Sequence, residues 1–332
     1  MSARVVGPYK DVGSIGAVQL KELWARTMGR RNAPLILSPE DESEWRYDYM
    51  ALAGLGLDLW QTFRYLYLEQ PTFDQFERWI VASSGGAVDP HRVEIVNGFI
   101  AGVPEDEPHR PIVPVFGPDD LAHWDEHGYV TLHDAVSPDA CAAAAAAIWE
   151  YLGMDPADPE TWYRNRREIM TQVFDHPAIW ANRCAPRVRD AFAQLWGRAD
   201  LSMQVESCGM NPPERPGWSY PGPFLHFDMD VVVPFPFGVQ GILYLTDTAE
   251  NQGALTLIPG FHRRIEAWVR SLPPDAHASH EPLRPLGETV HVPGRAGDLI
   301  LWHHALPHSA SPNRAALPRL VQYIRMFPRR WD

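Results

Sequence analysis

Apolar residues spaced three and four apart run from Val18 to about Val81 and predict helices in "LKELWARTMG", "LGLDLWQTFRYLYLEQ" and, after Pro71, "TFDQFERWIV". Thr72 stands as N-cap of the last, with Gln75 three residues on to complete a capping box. "SSGGAVDP" breaks the pattern, and the proline-rich "AGVPEDEPHRPIVPVFGP" reads as a connector. A helical N-terminal region over 1–111 and a second domain over 112–332 follow from that boundary. Beyond it, a short helix ends at Gly128, a strand follows, Ser137-Pro138 opens a helix that Gly153 closes, and "PRVRDAFAQLWG" runs to Gly197.

The texture then changes. "LSMQVESCGM", "FLHFDMDVVV", "VQGILYLT", "ALTLIPG", "ETVHVP", "DLILWHH" and "LVQYIRMF" are short β-rich runs parted by Gly, Pro, Asn and Asp turns. So many short strands predict a sandwich or jelly roll. One of these runs is odd: "PGPFLHFDMD" sets His226, Asp228 and Asp230 at alternate positions of an otherwise apolar stretch. In an extended strand such residues share a face. Residues two apart are separated by about 6.6 Å, close enough to meet on one ion, and residues four apart by about 13 Å, which is too far. His226 and Asp228 can thus chelate one metal without Asp230. A further histidine would complete a two-histidine, one-carboxylate set with open positions for chemistry. His303, His304 and His308 are on offer downstream.

Composition narrows the partners. A net charge of −13 leaves nothing to neutralise a phosphate backbone or an anionic bilayer, so neither nucleic acid nor membrane is expected. Lys10 and Lys21 are the only lysines, and the arginines are scattered. Cys141, Cys184 and Cys208 form no CxxC, which fits a reducing, cytoplasmic setting. No apolar run approaches the roughly 20 residues of a membrane helix, and the first residues lack a signal peptide's apolar middle.

His226-Phe-Asp228, "NQGALTLIPGFH" from Asn251, "GDLILWH" from Gly297, and His308 followed by Asn313 and Arg319 resemble the phytanoyl-CoA dioxygenase family of iron(II), 2-oxoglutarate-dependent oxygenases. The resemblance runs from about Pro118 to Phe327 and implies a double-stranded β-helix, a cupin-like jelly-roll core with flanking helices in an α+β chain. It implies metal ligands His226, Asp228 and His308. Arg319, eleven residues after the second histidine as in the family, would pair with the far carboxylate of 2-oxoglutarate. An arginine suits that task, since its planar fork grips a carboxylate and keeps its charge. Two positions depart from the pattern: Ala310 replaces the serine two after the histidine, and Phe227 stands where some members have glutamine. Gln204 and Tyr244 are candidate secondary contacts to the cosubstrate, and Asn313 is read as tying its loop.

The remaining polar groups receive milder readings. His303 and His304 pack or line the pocket, His262 shapes a loop end, and Arg325 makes a structural ion pair. Asp230 binds a substrate amine or caps a turn. Trp218, Tyr220 and Phe224 form a lid or simply pack. The expected activity is hydroxylation of an unactivated C–H bond in a small-molecule, peptide or carrier-bound substrate of secondary metabolism, by a monomer or homodimer using iron(II), 2-oxoglutarate and O2. Desaturation and ring formation are open to the same chemistry; the carboxylate of Asp228 disfavours halogenation. Two competitors are a non-oxidative, isomerase-like metal enzyme on the same fold, and a binding module derived from an oxygenase.

Overall fold

The computed structural model describes residues 12–29, 47–48, 50–100, 111–164, 168–171, 173, 176–228, 231, 233–273, 283 and 286–328. Asp230 and the connector stretch 101–110 lie outside the described residues. The chain separates into two compact units, one of residues 1–110 with 200–206 and 328–332, the other of residues 111–199 and 207–327.

The first unit contains α1 (Leu20–Gly29), α2 (Leu59–Glu69), α3 (Phe73–Ser83), α4 (Pro90–Ile100) and a short strand, β3 (Leu201–Met203). Asp58 caps α2 by accepting from Gln61 N at 2.6 Å. At α3 the Thr72 hydroxyl accepts from Gln75 N (3.3 Å) while Thr72 N donates to the Gln75 side chain (2.8 Å), so the capping box closes as its sequence predicts. The "SSGGAVDP" break does not end the helical region: α4 follows it, with Asp89 accepting from His91 N and Pro90 in the first turn, where a missing N–H costs nothing. Leu20, Leu23, Leu55, Leu66, Phe76, Ile80 and Val96 supply the core of these helices.

In the second unit α5 (Pro118–His127) stops at Gly128, whose φ of 78° is open to glycine and returns its N–H to Trp124 O. β1 (Tyr129–Leu132), α6 (Pro138–Leu152), β2 (Met170–Thr171), α7 (Pro177–Cys184) and α8 (Pro186–Trp196) follow. The predicted stops hold, with Gly153 and Gly197 both left-handed at the ends of α6 and α8. Next come β4 (Cys208–Asn211), β5 (Val239–Tyr244), β6 (Leu255–Leu257), α9 (Ile265–Ser271), β7 (Val290–Val292), β8 (Leu299–His303), β9 (His308–Ala310) and β10 (Arg319–Pro328). Cys141, Cys184 and Cys208 are free; burial pushes the Cys141 thiol up to about 11 and that of Cys208 up to about 12, so both stay protonated. Among the described residues no helix is long and apolar enough to cross a membrane.

The larger sheet of this unit runs β1-β8-β5-β10-β4-β2 and the smaller β7-β6-β9, and every recorded pairing along these two paths is antiparallel. Ile242, Tyr244, Ile300, Trp302 and Val321 of the larger sheet share one core with Leu255, Leu257 and Val292 of the smaller. Tyr129, Trp302, Gln240 and Arg325 are successive register partners across β1, β8, β5 and β10, so their side chains stand in a row on one face. Tyr244 joins the two sheets: from β5 its fully buried hydroxyl donates to Val292 O (2.7 Å) and accepts from Leu255 N (3.0 Å).

Over its described residues, 221–228, "PGPFLHFDMD" does not form the strand its alternation predicts. His226 alone pairs, as an isolated bridge to His308, and Asp228 stands in a bend. Pro221 and Pro223 within the segment, and Pro234 and Pro236 beyond it, withhold N–H donors that a longer ladder would need.

A Tyr244→Phe substitution removes the hydroxyl that satisfies two buried main-chain groups. The expected cost is about 1–3 kcal/mol of stability, read as a lower denaturation midpoint in urea.

Candidate metal centre

His226 and His308 exchange both main-chain hydrogen bonds, His226 N to His308 O at 3.0 Å and His308 N to His226 O at 3.1 Å. Residues paired this way project their side chains to the same side, and the two imidazole centroids lie 4.7 Å apart. Each ring is then oriented through its Nδ1, which lies 2.6 Å from Phe224 O in His226 and 3.1 Å from Leu306 O in His308. A carbonyl only accepts, so each Nδ1 carries a proton, leaving each Nε2 to donate to Asp228 when protonated or to offer its lone pair to a metal. Asp228 Oδ1 is 3.1 Å from His226 Nε2 and 3.7 Å from His308 Nε2. One ligand atom from each residue thus falls within 4.8 Å of the others, a group able to hold a metal ion and the only such group among the described residues. The remaining oxygen, Oδ2, accepts from Gln240 Nε2 and from Arg325 Nη2, the latter at 2.7 Å.

Charge at the site follows from these contacts. Burial opposes ionisation of Asp228, but His308, His226 and Arg325 outweigh it and hold the carboxyl well below its ordinary range. Burial likewise opposes a charged His226, yet its hydrogen bond to Asp228 raises its pKa on balance. The set is thus a carboxylate between two imidazoles, which suits a hard or borderline divalent cation.

Arg319 opens β10, is fully buried, and donates from Nη1 to Gly253 O at 2.6 Å. Its Nε and Nη2 make no hydrogen bond of ordinary geometry among the described residues, the Tyr323 hydroxyl lying close enough to the guanidinium only for a weaker contact. Its charge lowers the phenol pKa of Tyr220, Tyr244 and Tyr323, though burial leaves all three raised. A buried guanidinium with two idle donors is a costly arrangement unless an anion completes it. Tyr244 has committed its proton to Val292 and accepts from Leu255 N, so beside an anion it could serve only through the packing of its ring. Gln204 is buried and belongs to residues 200–206, which group with the N-terminal helices.

The other histidines stand apart from the metal-binding group. His303 Nδ1 accepts from Ala305 N (2.9 Å), and burial followed by the charge of His262 drops its pKa to about 4. His304 is buried against Phe327 and Gly238, with Nε2 unpartnered, and burial holds its pKa well below the ordinary value. His262 reaches Asp125 O at a loop end. Asn313 ties its loop, donating to Asn211 O and Leu317 O. The aromatic loop divides its roles: Trp218 pairs with Arg215 and packs on Tyr163, Tyr220 donates to Pro223 O, and Phe224 is exposed. Gln240 and Tyr323 escaped sequence reading, and Tyr220, read there as a lid or packing residue, instead stands in the field of Arg319. Position alone could have flagged Tyr323, which shares the inner face of β10 with Arg319 and Arg325.

Residues 124–321 match the profile of the family described as phytanoyl-CoA dioxygenase (PhyH). Among curated relatives, the chain is 24% identical over 233 residues to Ava biosynthesis cluster protein O of Aspergillus versicolor, covering 61% of this chain and 75% of that protein. Among solved structures it resembles the epimerase SnoN in complex with Fe3+, alpha ketoglutarate and nogalamycin RO, at 21% identity over 63% of this chain and 82% of that one, with a TM-score of 0.48. EctD from S. alaskensis with bound Fe is similar at 19% identity, 67% and 80% coverage and a TM-score of 0.48.

Removing an imidazole ligand by His226→Ala or His308→Ala should weaken divalent-metal binding, followed by equilibrium dialysis, by more than the roughly 10–100-fold that loss of an outer hydrogen-bond partner costs. His303 gives a pH effect. Its folded pKa of about 4 lies below the ordinary 6.5, so the unfolded chain binds the extra proton between these values. Its contribution to stability is therefore complete above pH 6.5 and is lost as pH falls towards 4. Thermal unfolding across that window should show a shallower acid loss in His303→Gln than in the parent.

Proposed function

This chain belongs to the phytanoyl-CoA dioxygenase family, and on that premise we propose that it is an iron(II)- and 2-oxoglutarate-dependent oxygenase. The observation that carries the reading is the pairing of two features in one unit: Nε2 of His226, Nε2 of His308 and Oδ1 of Asp228 converge, and Arg319 is buried with two donors idle. The two antiparallel sheets on a shared core support a double-stranded β-helix as the frame.

In this reading His226, Asp228 and His308 hold the iron, with Phe224 O and Leu306 O keeping both imidazoles in the ligating tautomer. Arg319 takes the far carboxylate of 2-oxoglutarate, its Nη1 fixed to Gly253 O and its remaining N–H groups free for a charge-assisted grip. Tyr220 and Tyr323 stand in the field of the same guanidinium and shape that end of the pocket. Tyr244 remains a candidate cosubstrate contact through its ring, its hydroxyl proton being committed to Val292 O. Trp302, packed 5.0 Å from the His308 ring, and Phe227, set in the apolar core beside Phe261 and Trp268, keep water from the surroundings of the ligands. Bound iron(II) with 2-oxoglutarate and O2 would supply the oxidation of an unactivated C–H bond, releasing succinate and CO2 with the hydroxylated product.

The Aspergillus relative's name supports placing the substrate in secondary metabolism, as a small molecule or a peptide- or carrier-bound group. We place the enzyme in the cytoplasm, as a monomer or homodimer. A non-oxidative isomerase has no use for Arg319, and a binding module has none for three converging ligands.

The deciding measurement is anaerobic titration of 2-oxoglutarate into the iron(II)-loaded protein. Saturable binding is expected, weakened at least about 30-fold in Arg319→Ala because a buried charge pair loses a partner. Absence of 2-oxoglutarate binding by the loaded parent protein would overturn the proposal, and unchanged binding in Arg319→Ala would overturn the anchor.

A further inference from the structure

We propose that Arg325 and Gln240 are positioning residues that hold Asp228 to a single ligating oxygen. The inference rests on the metal-site reading above and extends it to two side chains outside the ligand set.

Asp228 needs external support. It stands in a bend, with no strand pairing of its own among the described residues. The two donors on its Oδ2 come instead from the interior of the larger sheet, β5 and β10 being adjacent central strands in the order β8-β5-β10-β4. Arg325 and Gln240 are direct register partners across those strands, so both side chains leave the sheet on the same side at the same level. Arg325 Nη2 meets Oδ2 at 2.7 Å, and Gln240 Nε2 donates to the same oxygen. The amide of Gln240 cannot be reversed there, since its oxygen would then face a carboxylate.

This division of labour has a consequence for coordination. A carboxylate offers about four lone-pair sites, two per oxygen. Both sites of Oδ2 are spoken for by donors, one of them charged, while Oδ1 is the oxygen that faces His226 Nε2 and His308 Nε2. Two-oxygen chelation by Asp228 would have to break a charge-assisted bond and a second hydrogen bond on Oδ2. Arg325 and Gln240 therefore keep the carboxylate from spreading over a second coordination position, which a chelating cosubstrate needs. Arg325 thereby acts on the metal through Asp228, and the rigid sheet sets the position of a ligand carried by an irregular segment.

The test uses the full chain and cobalt(II) as probe, without cosubstrate. Visible d–d absorption reports coordination number and geometry, and titration reports affinity. Arg325→Gln should bind cobalt roughly 10–100-fold more weakly than the parent, with an altered d–d spectrum. Arg325→Lys should recover part of both, because an ammonium restores the charge without the fork. Gln240→Leu should shift the spectrum in the same direction by a smaller amount. Urea unfolding of the metal-free proteins checks that each variant folds; should Arg325→Gln fail that check, Arg325→Lys and Gln240→Leu make the same comparison. Parent-like affinity and spectrum in the folded variants would overturn the positioning role while leaving the metal site intact. A parent protein that binds no cobalt would instead remove the metal site, and this inference with it.

Discussion

The site depends on two main-chain hydrogen bonds. His226 and His308 are far apart in sequence, and nothing in their side chains attracts one to the other. What brings them together is the antiparallel bridge in which each donates to and accepts from the other, at 3.0 and 3.1 Å. One side of the bridge is β9, itself paired to β6 of the smaller sheet; the other is an irregular segment bounded by prolines. Adding a residue to either side would turn one imidazole to the opposite face, since side-chain direction alternates along extended backbone. The bridge thus fixes which way the rings point, and the carbonyls of Phe224 and Leu306 then fix which nitrogen faces inward.

Electrostatics divides the inner face of the larger sheet into two tasks. At one end of β10, Arg319 is fully buried and incompletely paired, a state poised for an incoming anion. Further along the same strand, Arg325 is paired to an anion the protein supplies itself, the carboxylate of Asp228. Tyr323 lies between them on the same face. Two arginines of one strand are therefore differently placed, one paired to a carboxylate of the fold and one buried and incompletely paired.

Much of this was readable in the chain, for identifiable reasons. Helix ends are local events, so Thr72 with Gln75 and the glycines at 128, 153 and 197 announced their caps and stops. The longer strands β5, β8 and β10 carry enough β-branched and apolar residues to be recognised, whereas β2 and β9, at two and three residues, are too short for any alternation to show. His226, Asp228 and His308, which the fold brings together, stood out by motif. The expected strand did not form over 221–228 because Pro221 and Pro223 withhold donors there, and α4 was hidden behind the Gly85-Gly86 turn. The grip of Gln240 on Asp228 was beyond reach, because a cross-strand register is a long-range fact. The double engagement of Tyr244 was equally so, since its partners belong to the other sheet.

The groups that orient the two imidazoles are backbone carbonyls, and every residue type carries one. Phe224 contributes its carbonyl to His226 while its ring sits 64% exposed to solvent. The side chain there can consequently be exchanged during divergence without altering the tautomer of the ligand two positions on. Such a loop leaves natural selection free to retailor the outer wall around His226, Asp228 and His308, while the mutual placement of those three side chains passes unchanged from one descendant to the next.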